Sequence, residues 1–126
     1  MDKLNGKLAL IVDDDDRNIF ALSSYLGAFG LQIISAENGE EAIALLKDGA
    51  RPHIILLDIM MPVMDGYETL AVLKQDDVLK GIPAIAVTAR AMKGDREKCM
   101  EAGAWDYVSK PIDLNALMEK INKWIL

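Results

Sequence analysis

Four aspartates, Asp13, Asp14, Asp15 and Asp16, directly follow an apolar run in the stretch IVDDDDRN. Carboxylates packed this densely repel one another unless a positive charge sits among them. Three other residues share their setting. Asp58 closes the apolar run HIILLD, Thr88 closes AIAVT, and Lys110 follows WDYVS. A ligand set of carboxylate oxygens, without histidine or cysteine, suits a hard cation, and Mg²⁺ is the expected one. Mg²⁺ keeps several waters and combines a few carboxylates with a phosphoryl oxygen. The lysine is then a second positive charge aimed at an anion that shares the metal. A phosphoryl group is the anion that fits Mg²⁺, a lysine and a threonine hydroxyl together.

These residues are far apart in sequence, so a scaffold must collect them. Apolar strand-like runs alternate with segments of helical period. Strands are expected at 7–12, 31–36, 53–58, 84–88 and 105–109. Helices are expected at 17–29, 39–49, 67–75 and 93–103. The first should bury Leu22, Leu26 and Phe29 and stop at Gly30. A fifth helix should begin after an N-cap at Asp113, with Leu114, Leu117, Met118, Ile121 and Ile125 on one face. Five strands alternating with five helices imply an α/β fold with a parallel sheet. The uninterrupted apolar strands LALIV, IILL and AIAV belong inside. Gln32 and Asp106 mark the other two strands as edges. The simplest order is 2-1-3-4-5, a single doubly wound sheet. In such a sheet ligands sit beyond the carboxyl ends of the strands, where the strand order reverses. Asp13 and Asp14, Asp58, Thr88 and Lys110 all fall at that edge.

The chain has 126 residues and 52% hydrophobic content, enough for one core, and is read as a single domain over 1–126. It stops just after the fifth helix, which is read as leaving no room for an effector domain. The net charge of −6 and a pI near 4.7 argue against nucleic-acid binding. No apolar run approaches the length of a membrane helix, so no membrane contact is expected. The N-terminus MDKLNGK lacks the apolar region of a secretory signal. The single cysteine, Cys99, excludes an internal disulfide and fits a reducing, cytoplasmic setting.

The stretches VDDDDRN, LLDIMMPVMDGYE, VTARA and YVSKPI resemble the motifs of the receiver domain of two-component response regulators, a CheY-like fold. The resemblance runs from Lys7 to Leu126. The resemblance implies that Asp58 is the phosphoacceptor, a nucleophile toward the phosphohistidine of a sensor histidine kinase or histidine phosphotransfer protein. Asp13, Asp14, Asp58 and the backbone carbonyl of Met60 would hold Mg²⁺. Thr88 and Lys110 would bind phosphoryl oxygens, and Tyr107 would change rotamer as Thr88 moves. The Lys110–Pro111 bond would be cis. Met60 and Arg90 would flank the phosphoryl group and tune its lifetime. The added charge would bias a surface of the fourth helix, fifth strand and fifth helix, which would meet a downstream protein. The stretch TARAMKGDREKCMEAGAWDYVSKPI looks more like receivers of hybrid histidine kinases than those of DNA-binding regulators.

Other conspicuous residues have simpler readings. Asp15 and Asp16 are better explained as capping a helix and compensating its dipole. His53 stands at the end of its strand opposite the site. Cys99 reads as a packed residue, and Trp124 as core cover. Trp105 sits four residues before Ser109, on the order of 13 Å from the site end by strand rise. It is either a partner anchor or a residue tucked under the neighbouring helix. Two rival functions compete. A phosphohydrolase of the haloacid dehalogenase type would use Asp13 and Asp15 as an Asp-x-Asp pair, but Arg17 and the lack of a cap segment disfavour it. A phosphorylation-independent interaction module would have lost an acidic or lysine position, and none is lost.

Overall fold

The computed structural model describes residues 4–89 and 93–125. Five strands form one sheet: β1 (Leu8–Val12), β2 (Gln32–Ala36), β3 (Ile54–Asp58), β4 (Ala84–Thr88) and β5 (Asp106–Ser109). The helices are α1 (Asp16–Gly27), α2 (Gly39–Lys47), α3 (Gly66–Gln75), α4 (Lys93–Ala102) and α5 (Leu114–Trp124), with a 3₁₀ turn at Leu79–Gly81. The sheet order is β2-β1-β3-β4-β5, and all four pairings are parallel. This is the expected topology, with β2 and β5 at the edges.

The inner strands are apolar throughout because each serves two cores. Leu10, Val12, Ile55, Leu57, Ala84 and Ala86 face one side, where Ala42, Ile43 and Leu46 of α2 and Leu70 and Leu73 of α3 cover them. Ala9, Ile11, Ile54, Leu56, Ile85 and Val87 face the other, under Leu22 and Leu26 of α1 and Leu117, Met118 and Ile121 of α5. Alternate side chains along one strand therefore leave water on opposite faces, with each buried aliphatic side chain contributing about 1.5–3 kcal/mol.

Helix starts follow short polar residues. Asp15 accepts from the Arg17 N–H, Asn38 from Glu41, and Asp113 from Asn115 and Ala116. Asp65 and Glu68 form a reciprocal capping box that opens α3. Two residues expected on buried helix faces lie exposed instead. Helix α1 ends at Gly27, so Phe29 lies beyond it, 40% exposed and edge-on to Tyr25. The chain leaves the helix through overlapping turns before Gly30, whose positive φ reverses its direction, and Leu26 closes the core instead. Leu114, the first residue of α5, sits at the rim and is 37% exposed.

Gly66 is required by close approach. A Cβ there would lie 2.6 Å from the Ile59 Cα and 2.8 Å from the Asp58 carbonyl oxygen. Gly27 has open space around it. In urea denaturation, Gly66→Ala should lower stability by about 1–3 kcal/mol through overpacking. Gly27→Ala should raise it by about 0.4–1 kcal/mol through the unfolded chain.

Candidate functional site

The site lies where β1 and β3 end side by side. Their register sets Val12 beside Leu57, so Asp13 and Asp58 emerge together. Oxygens of Asp13, Asp14 and Asp58 come within 4.8 Å of one another. Asp13 and Asp58 are buried, while Asp14 faces solvent. Lys110, just past β5, reaches over the sheet edge to both buried acids. Its Nζ lies 3.4 Å from Asp58 Oδ2 and 3.6 Å from Asp13 Oδ2. The Lys110 backbone N–H donates to the Thr88 carbonyl at 2.7 Å, which holds the lysine against the end of β4. The Lys110–Pro111 bond is cis, as expected.

Backbone donors orient the carboxylates. The Met60 N–H donates to Asp58 Oδ1 at 3.2 Å, and the Asp15 N–H to Asp13 Oδ1 at 2.9 Å. Besides Lys110, a second side-chain donor takes part: Asn18 Nδ2 lies 3.4 Å from Asp13 Oδ2. Burial pushes the Asp58 carboxyl up to about 6. Lys110 pulls in the opposite direction, the neighbouring Asp13 charge adds to the rise, and the Met60 N–H again opposes it. One ammonium does not neutralise two buried carboxylates and a third beside them. An oxygen-rich cluster with surplus negative charge and a water-facing member is what a hard divalent cation requires.

A family model for the response regulator receiver domain matches residues 9–122. The chain belongs to the receiver domain family. Among curated relatives, the polar-differentiation response regulator DivK of Brucella anthropi is 40% identical over 119 residues, covering 94% of this chain and 96% of the relative. Two solved receivers are similar throughout. One belongs to a sensor histidine kinase of Pseudomonas aeruginosa, with a magnesium ion coordinated in its active-site cleft. It has a TM-score of 0.85 and 31% identity, covering 94% of this chain and 97% of that one. The other is the receiver of a Saccharomyces cerevisiae response regulator, solved with its histidine phosphotransfer signalling protein. It has a TM-score of 0.87 and 30% identity, covering 96% of this chain and 90% of that one. The haloacid dehalogenase reading falls away, because Asp15, its second carboxylate, is spent on capping α1.

In this receiver Thr88 is buried at the end of β4, and Tyr107 lies half-buried on β5 against the α2–α3 side of the core. Met60 exposes its side chain. Arg90 lies outside the described residues. Sequence reasoning missed Asn18 and the second ion pair of Lys110, to Asp13. The sequence signal for Asn18 was a poor helix former in the first turn of α1, where a longer side chain would be usual.

The receiver's β5 and α5 are tied by a polar lock. Trp124 Nε1 donates to Asp106 Oδ2 at 2.9 Å, and Lys120 Nζ to Asp106 Oδ1 at 3.2 Å and to the Tyr107 carbonyl. Trp105 is half-buried and packs edge-on against Trp124, with ring centroids 5.5 Å apart. This matches the tucked reading of Trp105. His53 accepts from the Leu8 N–H at the far end of β3, and Cys99 is buried beside the Tyr67 hydroxyl.

The raised Asp58 value has a definite sign for stability. The folded state favours the protonated acid, so this group's contribution is full below the ordinary carboxylate range. It is lost as pH rises through about 6. Without magnesium, Asp58→Asn should therefore raise the melting temperature at about pH 8 by several degrees. The two proteins should converge in acid. Thermal melts across pH check this.

Proposed function

We propose that Asp58 is the phosphoacceptor of this receiver, and that the donor is a phosphohistidine on a sensor histidine kinase or phosphotransfer protein. The observation that carries this reading is Lys110 bridging the buried Asp58 and Asp13 at the edge where three carboxylates converge. The relative solved with a phosphotransfer protein supports the class of donor. On this reading residues 1–126 act as one receiver domain in the cytoplasm. Among the described residues, no helix is long and apolar enough to cross a membrane.

The chemistry needs positioning and charge neutralisation more than covalent assistance. Mg²⁺ fits the donor set, and Asp13, Asp14, Asp58 and the Met60 carbonyl would hold it. The relative with magnesium in its cleft supports this assignment. When bound, the ion offsets the repulsion between carboxylates and phosphoryl oxygens. An Asp58 carboxylate oxygen forms a bond to phosphorus as the histidine nitrogen–phosphorus bond breaks, and the released imidazole takes up a proton. The Met60 N–H holds the other Asp58 oxygen, fixing the direction of attack. Lys110 then transfers its ion pair from Asp58 to a phosphoryl oxygen. Thr88 donates its hydroxyl to another, and Tyr107 follows into the space so opened. The Lys120 ammonium of α5 lies 5.9 Å from the Tyr107 ring centroid, so a change of rotamer there is felt across the α4-β5-α5 face, where a downstream protein binds. Met60 and Arg90 set how fast water reaches the acyl phosphate. The domain is a signalling element that assists its own phosphorylation and dephosphorylation.

Incubation with acetyl phosphate should add one phosphoryl group per chain, seen by intact mass, only when magnesium is present. Asp58→Asn should take up none. Thr88→Ala should still be phosphorylated but lose the conformational response. Magnesium-independent labelling, or labelling that survives in Asp58→Asn, would contradict the assignment. Turnover of phosphate esters would point to a hydrolase instead.

A further inference from the structure

Asn18 has no part in the functional reading above, yet its side chain is bonded to the site. It occupies the third position of α1, counted from the Asp15 cap. A Glu or Gln at this position commonly reaches back to the N-cap backbone. Here a shorter amide passes the cap and meets Asp13, five residues earlier, with Nδ2 3.4 Å from Oδ2. The neighbour is a carboxylate, so the amide must present its NH₂ group and not its oxygen. The remaining surroundings leave it little choice. Asn18 lines a pocket of about 300 Å³ together with Lys110 and the apolar Ala21, Leu22, Pro111, Ile112 and Leu114. Lys110 is the only other polar side chain in that lining.

The two Asp13 oxygens are thus held separately. Oδ1 accepts from the Asp15 N–H at 2.9 Å, and Oδ2 faces both Asn18 and Lys110. Removing one of these donors frees the carboxylate to rotate about its Cβ–Cγ bond. We infer that Asn18 is a positioning residue, whose amide fixes the Asp13 carboxylate and thereby sets the affinity of the site for magnesium. This rests on the magnesium site proposed above. Its physical basis is general: groups that hydrogen-bond metal ligands restrict their orientation, and their loss typically weakens binding by about 10–100-fold. The Asn18 bond is long and half-exposed, so the lower end applies.

The test is calorimetric titration of the full chain with magnesium chloride, for wild type, Asn18→Leu and Asn18→Gln. Asn18→Leu keeps the size of the side chain and removes the donor. It should raise the dissociation constant about tenfold. Asn18→Gln keeps an amide donor and should recover most of the affinity. Leu is a better helix former than Asn, so the magnesium-free melting temperature of Asn18→Leu should hold or rise. Weaker binding in a protein of equal or greater stability cannot come from general loosening. Wild-type affinity in Asn18→Leu would overturn the inference, as would equal losses in the Leu and Gln variants. A wild-type protein that took up no magnesium would remove the metal reading itself, and this inference with it.

Discussion

Two carboxylates, Asp13 and Asp58, are buried at a sheet edge with one ammonium between them. Burial disfavours each charge, and their mutual repulsion adds to the cost. Lys110 offsets part of it, and the Met60 and Asp15 N–H groups offset more. A residue of negative charge remains, and burial, with the Asp13 charge adding to it, holds the Asp58 carboxyl at about 6. That uncompensated charge makes the site receptive to a divalent ion. It also leaves Lys110 divided between two acids, ready to turn to a stronger anion.

The rest of the fold serves to keep this arrangement from relaxing. Asp13 and Asp58 cannot separate, because β1 and β3 are paired up to the residues preceding them. They cannot both turn outward, because the strands carrying them are anchored in cores on both faces of the sheet. The backbone after Asp58 is pinned by Gly66, packed against Ile59 with no room for a side chain, and by the Asp65–Glu68 capping box. Lys110 is fixed to the end of β4 by its own backbone N–H. Strain placed on any of these points would reach the carboxylates within a few bonds.

The topology was readable because the inner strands are apolar without a break and the edge strands are not. The convergence of Asp13, Asp14, Asp58, Thr88 and Lys110 followed from that topology, since each closes or follows a strand. The end of α1 was not readable. Phe29 fits the helical period, but period cannot reveal that the chain unwinds ahead of Gly30. Asn18 was passed over for a related reason. Its partner lies five residues back, across the helix start, a spacing that belongs to no regular element. The second ion pair of Lys110 depends on side-chain reach at the sheet edge, which strand order alone does not give. Trp105 shows the reverse case. Composition makes it conspicuous, while the contact with Trp124 accounts for it within the fold.

The central claim is electrostatic, so the direct measurement is the protonation of Asp58 itself. Side-chain carboxyl NMR of the magnesium-free protein, titrated with acid, should place its midpoint at about 6. Saturating magnesium should draw that midpoint well below its magnesium-free position. A midpoint in the ordinary carboxylate range without magnesium, unmoved when the ion is added, would contradict the account.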